Sequence, residues 1–141
     1  MMNTTRVRCG FTLIELVVVI VIAAILAMIA MNAYGNYVAR AQVQAAKTDL
    51  TALALDLENQ LQRNLVYSTR AHTTMSASDI ARAYPGWHPS QANHFTYTLE
   101  AWPTRFTLKA QGMDGALSTC VLELTESDTP FIAGCGAVTS W

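Results

Sequence analysis

From Leu16 to Met31 the chain carries no polar side chain, and beyond Met31 its apolar positions recur with helical spacing. At 1.5 Å per residue, Phe11 to Met31 forms a helix of roughly 32 Å, enough to cross the hydrocarbon core of a bilayer. Further on, Ala46, Leu50, Leu53, Leu57 and Leu61 line up as one apolar stripe, with Lys47, Asp56, Glu58, Gln62 and Arg63 largely outside it. No glycine or proline interrupts residues 36–63, so the helix is predicted to continue to about Arg63. Tyr34 and Tyr37 mark the changeover and suit either a membrane interface or core packing.

From Asn64 to Asn93 the pattern loosens into a connection. Within it, Ser76-Ala77-Ser78-Asp79 predicts an N-cap and capping box for a short helix ending before Pro85-Gly86. The period then switches to two. Phe95, Tyr97, Leu99 and Ala101 alternate with polar residues, as do Phe106, Leu108 and Ala110, and then Cys120, Leu122 and Leu124. Trp102-Pro103-Thr104 and Gly112-Met113-Asp114-Gly115 are the turns between them. The pattern predicts an antiparallel meander with one apolar face, covered by the helix stripe: an α+β fold. Glu126 to Pro130 reads as a loop, with a short fourth strand expected at Ala137–Ser140.

One acid interrupts the apolar run near its start. A carboxylate at membrane depth costs about 2.5–3.5 kcal/mol on insertion scales, so Glu15 calls for a function. The stretch Gly10-Phe11-Thr12-Leu13-Ile14-Glu15 resembles the processing signal of type IV pilins. The resemblance runs from about Arg6 to Arg40, including Tyr34, Tyr37 and Ala39-Arg40-Ala41-Gln42. Beyond that it is a general plan of long helix, small sheet and C-terminal cysteine pair. It implies a type IV pilin fold, cleavage after Gly10 by a prepilin peptidase, methylation of the new N-terminus on Phe11, and an assembly role for Glu15. The chain then divides into a leader (1–10), a membrane or filament-core helix (11–31), an amphipathic continuation (32–63) and a globular head (64–141).

The residues support this independently. The leader carries Arg6 and Arg8 and no acid, which holds it in the cytoplasm. An ordinary secretory signal is cut after its apolar region at a small-x-small site, and Met31-Asn32-Ala33 is a poor one. Cleavage before the apolar region keeps the anchor and leaves a free amine on Phe11, which pairs with Glu15 of a neighbouring subunit in the assembly that the resemblance implies. A buried charge without a partner is heavily penalised, so such pairing drives subunits into one register. The bland alternative is a Glu15 that snorkels from an ordinary single-span anchor. Two positions depart from the family pattern. Ala24 and Asn32 stand where many members carry glycine and proline, which predicts a more continuous helix.

Losing the leader removes two of 9 basic residues, leaving 7 against 10 acidic ones. Neither balance argues for a nucleic-acid protein, which usually carries a clustered basic face. The leader also takes Cys9, leaving Cys120 and Cys135. In an oxidising compartment these are expected to form a disulfide contributing about 3 kcal/mol, the alternatives being two free thiols or a metal pair. With His72, His88 and His94 scattered, no metal site is expected, and His72, Trp87 and His88 are read as structural rather than as a surface site.

No G-x-S-x-G, phosphate-binding glycine loop or HExxH is present, so neither an enzyme nor a cofactor is expected. The reading is a type IV pilus subunit, more in keeping with a minor than a shaft pilin. The resemblance implies a single-pass inner-membrane precursor with its head in the periplasm, later incorporated into an extracellular pilus. Its implied partners are other pilins, the peptidase and the assembly machinery, in the service of pilus biogenesis, adhesion, twitching motility and DNA uptake. Alternatives are a type II secretion pseudopilin, for which Glu126–Asp128 offers a sparse calcium cluster, and a membrane-anchored protein that never polymerises. A further role is DNA or sugar capture by the head, with Trp87, Trp102 and Trp141 as stacking surfaces and Arg63, Arg70, Arg82, Arg105 and Lys109 near phosphates.

Overall fold

The computed structural model describes residues 11–127, 129–136 and 138–141, with the side chains of residues 32 and 33 left aside. The leader with Cys9 and Gly10, Asp128 of the expected calcium cluster and Ala137 of the expected fourth strand lie outside the described residues. The first helix, α1, spans Leu13–Asn64 and runs unbroken through positions 24 and 32. Thr12 starts it: its Oγ1 accepts the Glu15 N–H at 3.3 Å, and its hydroxyl donates to the Glu15 carboxylate across a long 3.5 Å. Glu15 therefore has a local duty at the helix N-terminus, where a carboxylate also complements the helix dipole.

The chain divides into two units between Asn36 and Tyr37. In the first, the large apolar side chains from Phe11 to Met31 are all exposed, and α1 contains a segment long and apolar enough to cross a membrane. Tyr34 in the first unit and Tyr37 in the second are 69% and 72% exposed, so neither packs in a core within the chain.

The second unit contains the core. Val43, Ala46, Leu50, Leu53 and Leu57 of α1 are fully buried and Leu61 partly so, each buried leucine contributing about 1.5–3 kcal/mol. They meet the buried faces of a five-stranded antiparallel sheet in the order β1-β2-β3-β4-β5: Thr73–Ser76, Phe95–Ala101, Phe106–Gly112, Val121–Thr125 and Phe131–Ala133. The alternation in β2 and β3 puts Phe95, Tyr97, Leu99 and Ala101 on the buried face with Phe106, Leu108 and Ala110. The capping box at Ser76 also forms. The Asp79 carboxylate accepts from the Ser76 N–H at 3.3 Å and from its hydroxyl at 2.7 Å, starting α2 at Ala77–Ala83. These two hydrogen bonds hold the Asp79 carboxyl below its usual range, with the charge of Arg82 adding to the effect.

Three sequence expectations need correction. The strand after β4 is Phe131–Ala133, whereas the described residues 138–140 are not in a strand; it pairs back on β4 through Phe131 with Glu123 and Ala133 with Val121. β5 ends at Ala133, where Gly134 turns with positive φ against the Thr119 carbonyl and a side chain would collide. The chain also forms β1 in the connecting region, on the free edge of β2, with Thr73 opposite Ala101. Finally, Lys47 is buried rather than outside the stripe, donating from Nζ to the Ser140 carbonyl at 2.7 Å.

Candidate functional site

Trp102-Pro103-Thr104 makes the tight turn between β2 and β3, closed by the Trp102 N–H donating to the Arg105 carbonyl at 2.8 Å. That closure folds the Arg105 side chain back, so its guanidinium carbon stands 4.4 Å from the centre of the Trp102 ring. His72 enters from the neighbouring edge. It immediately precedes β1, whose pairing with β2 sets His72 beside the turn, and its imidazole stacks on the same indole at 4.6 Å with the planes 27° apart. The Glu100 carboxylate lies 3.9 Å from His72 Nε2.

The segment that leads into β1 is fastened to this turn. The Tyr67 N–H donates to the Pro103 carbonyl at 3.1 Å, and its ring packs edge-on against Phe106 at 5.0 Å. The Tyr67 hydroxyl donates to Glu58 at 2.7 Å. Burial, the hydrogen bond to Glu58 and the charges of Glu58 and Glu126 push the tyrosine up to about 12. Gln60 reaches over to the Tyr67 carbonyl at 3.1 Å. Two exposed cations, Arg63 and Arg70, flank the segment on the chain. Between it and α2 lies a recess of about 380 Å³ whose lining includes Gln60, Ser68, Arg70, Thr73 and Tyr84.

The edge therefore offers an aromatic stack in which a half-buried indole is covered by an imidazole and a guanidinium, a set suited to anions and, at the outer faces of those two groups, to planar rings. Glu58, Glu100 and Glu126 temper its charge.

The other residues expected to serve a surface site are elsewhere. Trp87 is only 3% exposed: its Nε1 donates to the Asp49 carbonyl at 2.8 Å and its ring packs edge-on against Tyr97. Burial removes it from any stacking role and separates it from His72. Arg82 is engaged by Asp79 and Lys109 by Glu123, each at 3.2 Å. Trp141 lies near Lys47, 5.7 Å from ring centre to Nζ and roughly 24 Å along α1 from Arg63. Cys120 and Cys135 are joined by a disulfide that ties the chain after β5 to the start of β4. Among the described residues no group of three or more His, Cys, Asp or Glu is arranged to hold a metal.

A family model described as the type IV minor pilin ComP, DNA uptake sequence receptor, matches residues 32–125, two-thirds of the chain. The chain belongs to that family. A second model, the prokaryotic N-terminal methylation motif, matches residues 5–31. No curated protein and no solved structure matches the chain. The two family matches together make this a type IV pilus minor pilin, a structural subunit, in preference to a secretion pseudopilin.

Two residues of this pilin escaped the sequence reading. Asp49 falls in phase with the apolar stripe, three residues after Ala46 and four before Leu53, which was the available signal. It is buried and accepts from Tyr97, Ser90 and Gln91. Leu65 gave no signal. It adopts φ 61°, the left-handed region, at a helix end where glycine is the usual residue, and it is 82% exposed.

Proposed function

We propose that this minor pilin captures DNA through the edge formed by Trp102, Arg105 and His72, with the exposed Arg63 and Arg70 flanking the chain segment tethered to it. The observation that carries the reading is the shared stack: one indole held against a guanidinium and an imidazole, within the span that matches the DNA-uptake receptor family. A guanidinium beside a phosphate supplies charge-assisted hydrogen bonds, and the outer face of an imidazole or guanidinium backed by the indole accepts a base or sugar.

The processing and assembly roles belong to the same proposal. Gly10 is the cleavage residue, Phe11 the methylated N-terminus, and Glu15 pairs with the Phe11 amine of a neighbouring subunit. The motif match at residues 5–31 and the exposed apolar face of α1 support this course. Before assembly the chain is anchored in the inner membrane with its head in the periplasm, in contact with the prepilin peptidase and the assembly machinery. Afterwards it stands in the pilus among other pilins. On this account the chemistry is done to the chain, by peptidase and methyltransferase.

The test is filter retention of labelled duplex DNA by the head, residues 37–141, whose core lies wholly within that fragment. Retention that falls as salt rises is expected for wild type, and loss of retention in Trp102→Ala with its fold preserved. Salt-insensitive or absent retention contradicts DNA capture. Intact mass of the native protein tests the processing: a chain beginning at methylated Phe11 is expected, and a retained leader contradicts it.

A further inference from the structure

We propose that Leu65 is a wedge that enters a base step of the bound duplex and bends it, so that the pilin reads DNA deformability as well as surface. The inference rests on the DNA reading above and specifies how that site engages its ligand. Three observations converge on it. Leu65 is 82% exposed and has no place among the residues of the core or those packed against it. Its backbone sits at φ 61°, closing α1 with its N–H donating to the Leu61 carbonyl at 2.7 Å. That conformation disfavours a residue with a side chain, and glycine or asparagine ordinarily occupies it. Lastly, Tyr67, two residues on, is hydrogen-bonded to Pro103 of the turn that carries Trp102 and Arg105.

A strained, exposed, apolar side chain contributes little to the stability of the head. Its position gives it another use. Arg63 stands two residues before it and Arg70 five after, with the Trp102–Arg105–His72 stack anchored to the same segment. Cations that grip phosphates hold a duplex close, and an exposed apolar side chain on the same stretch of chain can unstack adjacent bases. The cost of opening a step depends on the step: pyrimidine–purine steps yield readily and A-tracts resist. A wedge of this kind discriminates between sequences at bases no polar side chain touches. The left-handed backbone fixes the direction in which the leucine projects, because the helix end and the Tyr67 tether hold it from both sides.

The test uses the full chain in detergent micelles and two end-labelled duplexes, one with a central TA step and one with a central A-tract. Binding is read by anisotropy and bending by energy transfer between the ends. Wild type is expected to prefer and bend the TA duplex. Leu65→Asn, which keeps the left-handed backbone without the apolar tip, is expected to lose the bend and the preference and to bind roughly 10- to 100-fold more weakly, the range that burying one leucine carries. Leu65→Asn and Leu65→Gly are both expected to melt at or above the wild-type temperature, because they relieve the backbone. Wild-type bending and preference retained in Leu65→Asn overturns the wedge while leaving DNA capture standing. Lower melting of both variants marks Leu65 as a packing residue and also overturns the wedge. Failure of wild type to bind either duplex overturns DNA capture and the wedge together.

Discussion

The Tyr97 hydroxyl donates to the Asp49 carboxylate at 2.6 Å, joining the middle of β2 to α1 inside the core. The same carboxylate accepts from the Ser90 N–H at 3.0 Å, the Ser90 hydroxyl at 3.1 Å and the Gln91 N–H at 3.2 Å. A buried charge is tolerated only when its acceptor sites are filled, and here they are. Asp49 thereby pins the connection before β2 onto the helix, with Trp87 fastened to its backbone carbonyl.

Removing that carboxylate strands the buried Tyr97 hydroxyl and takes the acceptor from the Ser90 and Gln91 N–H groups. Asp49→Ala is expected to destabilise the head by about 3 kcal/mol, and Asp49→Asn by less, because the amide oxygen still accepts. Urea unfolding of residues 37–141 measures both. A loss under about 0.5 kcal/mol in Asp49→Ala, the scale of an ordinary surface change, would show that the hub carries no stability.

The alkaline limb of stability follows from Tyr67. Its folded value is raised to about 12 from an ordinary value of about 10, so the folded state holds the proton longer than the unfolded chain. That contribution is complete below about pH 10 and is lost as pH rises towards 12. Tyr97 is raised as well, mainly by burial and then by its bond to Asp49, and acts in the same direction. Tyr67→Phe is expected to flatten some of the decline in urea midpoint between pH 9 and roughly 11.5. An unchanged slope in the variant contradicts the assignment to Tyr67.

The disulfide between Cys120 and Cys135 closes a loop with a sequence separation of 15. Cys120→Ser with Cys135→Ser is expected to cost about 3 kcal/mol, measured by thermal unfolding of the head against the oxidised form. Equal stability of the two proteins would mean that β5 and the tail hold to β4 without the bond.

How much of this was legible in the sequence depends on whether a residue's role is periodic or particular. Leu50, Leu53 and Leu57 announced their face, as Tyr97 and Leu99 did theirs, because burial of one side of a helix or strand leaves a period in the chain. β1 and β5 left none. They are four and three residues long and lie at the sheet edges, where burial does not alternate with enough repeats to be read. The three tryptophans looked alike as candidate platforms, yet Trp87 is a core residue and Trp102 is not. What separates them is a tertiary partner, Asp49 for one and Arg105 for the other, and no local pattern encodes that. The grouping of Trp102 with His72 depends on β1 pairing with β2, so missing the strand meant missing the site.

A pair of substitutions separates the local contacts of Glu15 from its proposed role in assembly. Its backbone N–H is capped by Thr12 and its carboxylate is proposed to meet a neighbouring Phe11 amine. Glu15→Gln keeps the helix start but removes the charge, and is expected to leave the level of membrane-anchored protein unchanged while abolishing recovery in the sheared pilus fraction. Thr12→Val weakens the cap alone and is expected to assemble. Normal recovery of Glu15→Gln in pili contradicts the pairing.

DNA capture by the Trp102–Arg105 edge is tested most directly by the salt dependence of duplex binding to the full chain. Each phosphate contact contributes about 0.9 to the slope of log affinity against log salt concentration. Arg105→Gln is expected to weaken binding and reduce the slope by about that amount, while Trp102→Ala weakens binding by roughly 5- to 100-fold and changes the slope little. The same affinity and the same slope in both variants and in wild type would contradict the account, because DNA would then be held by some other surface of the pilin.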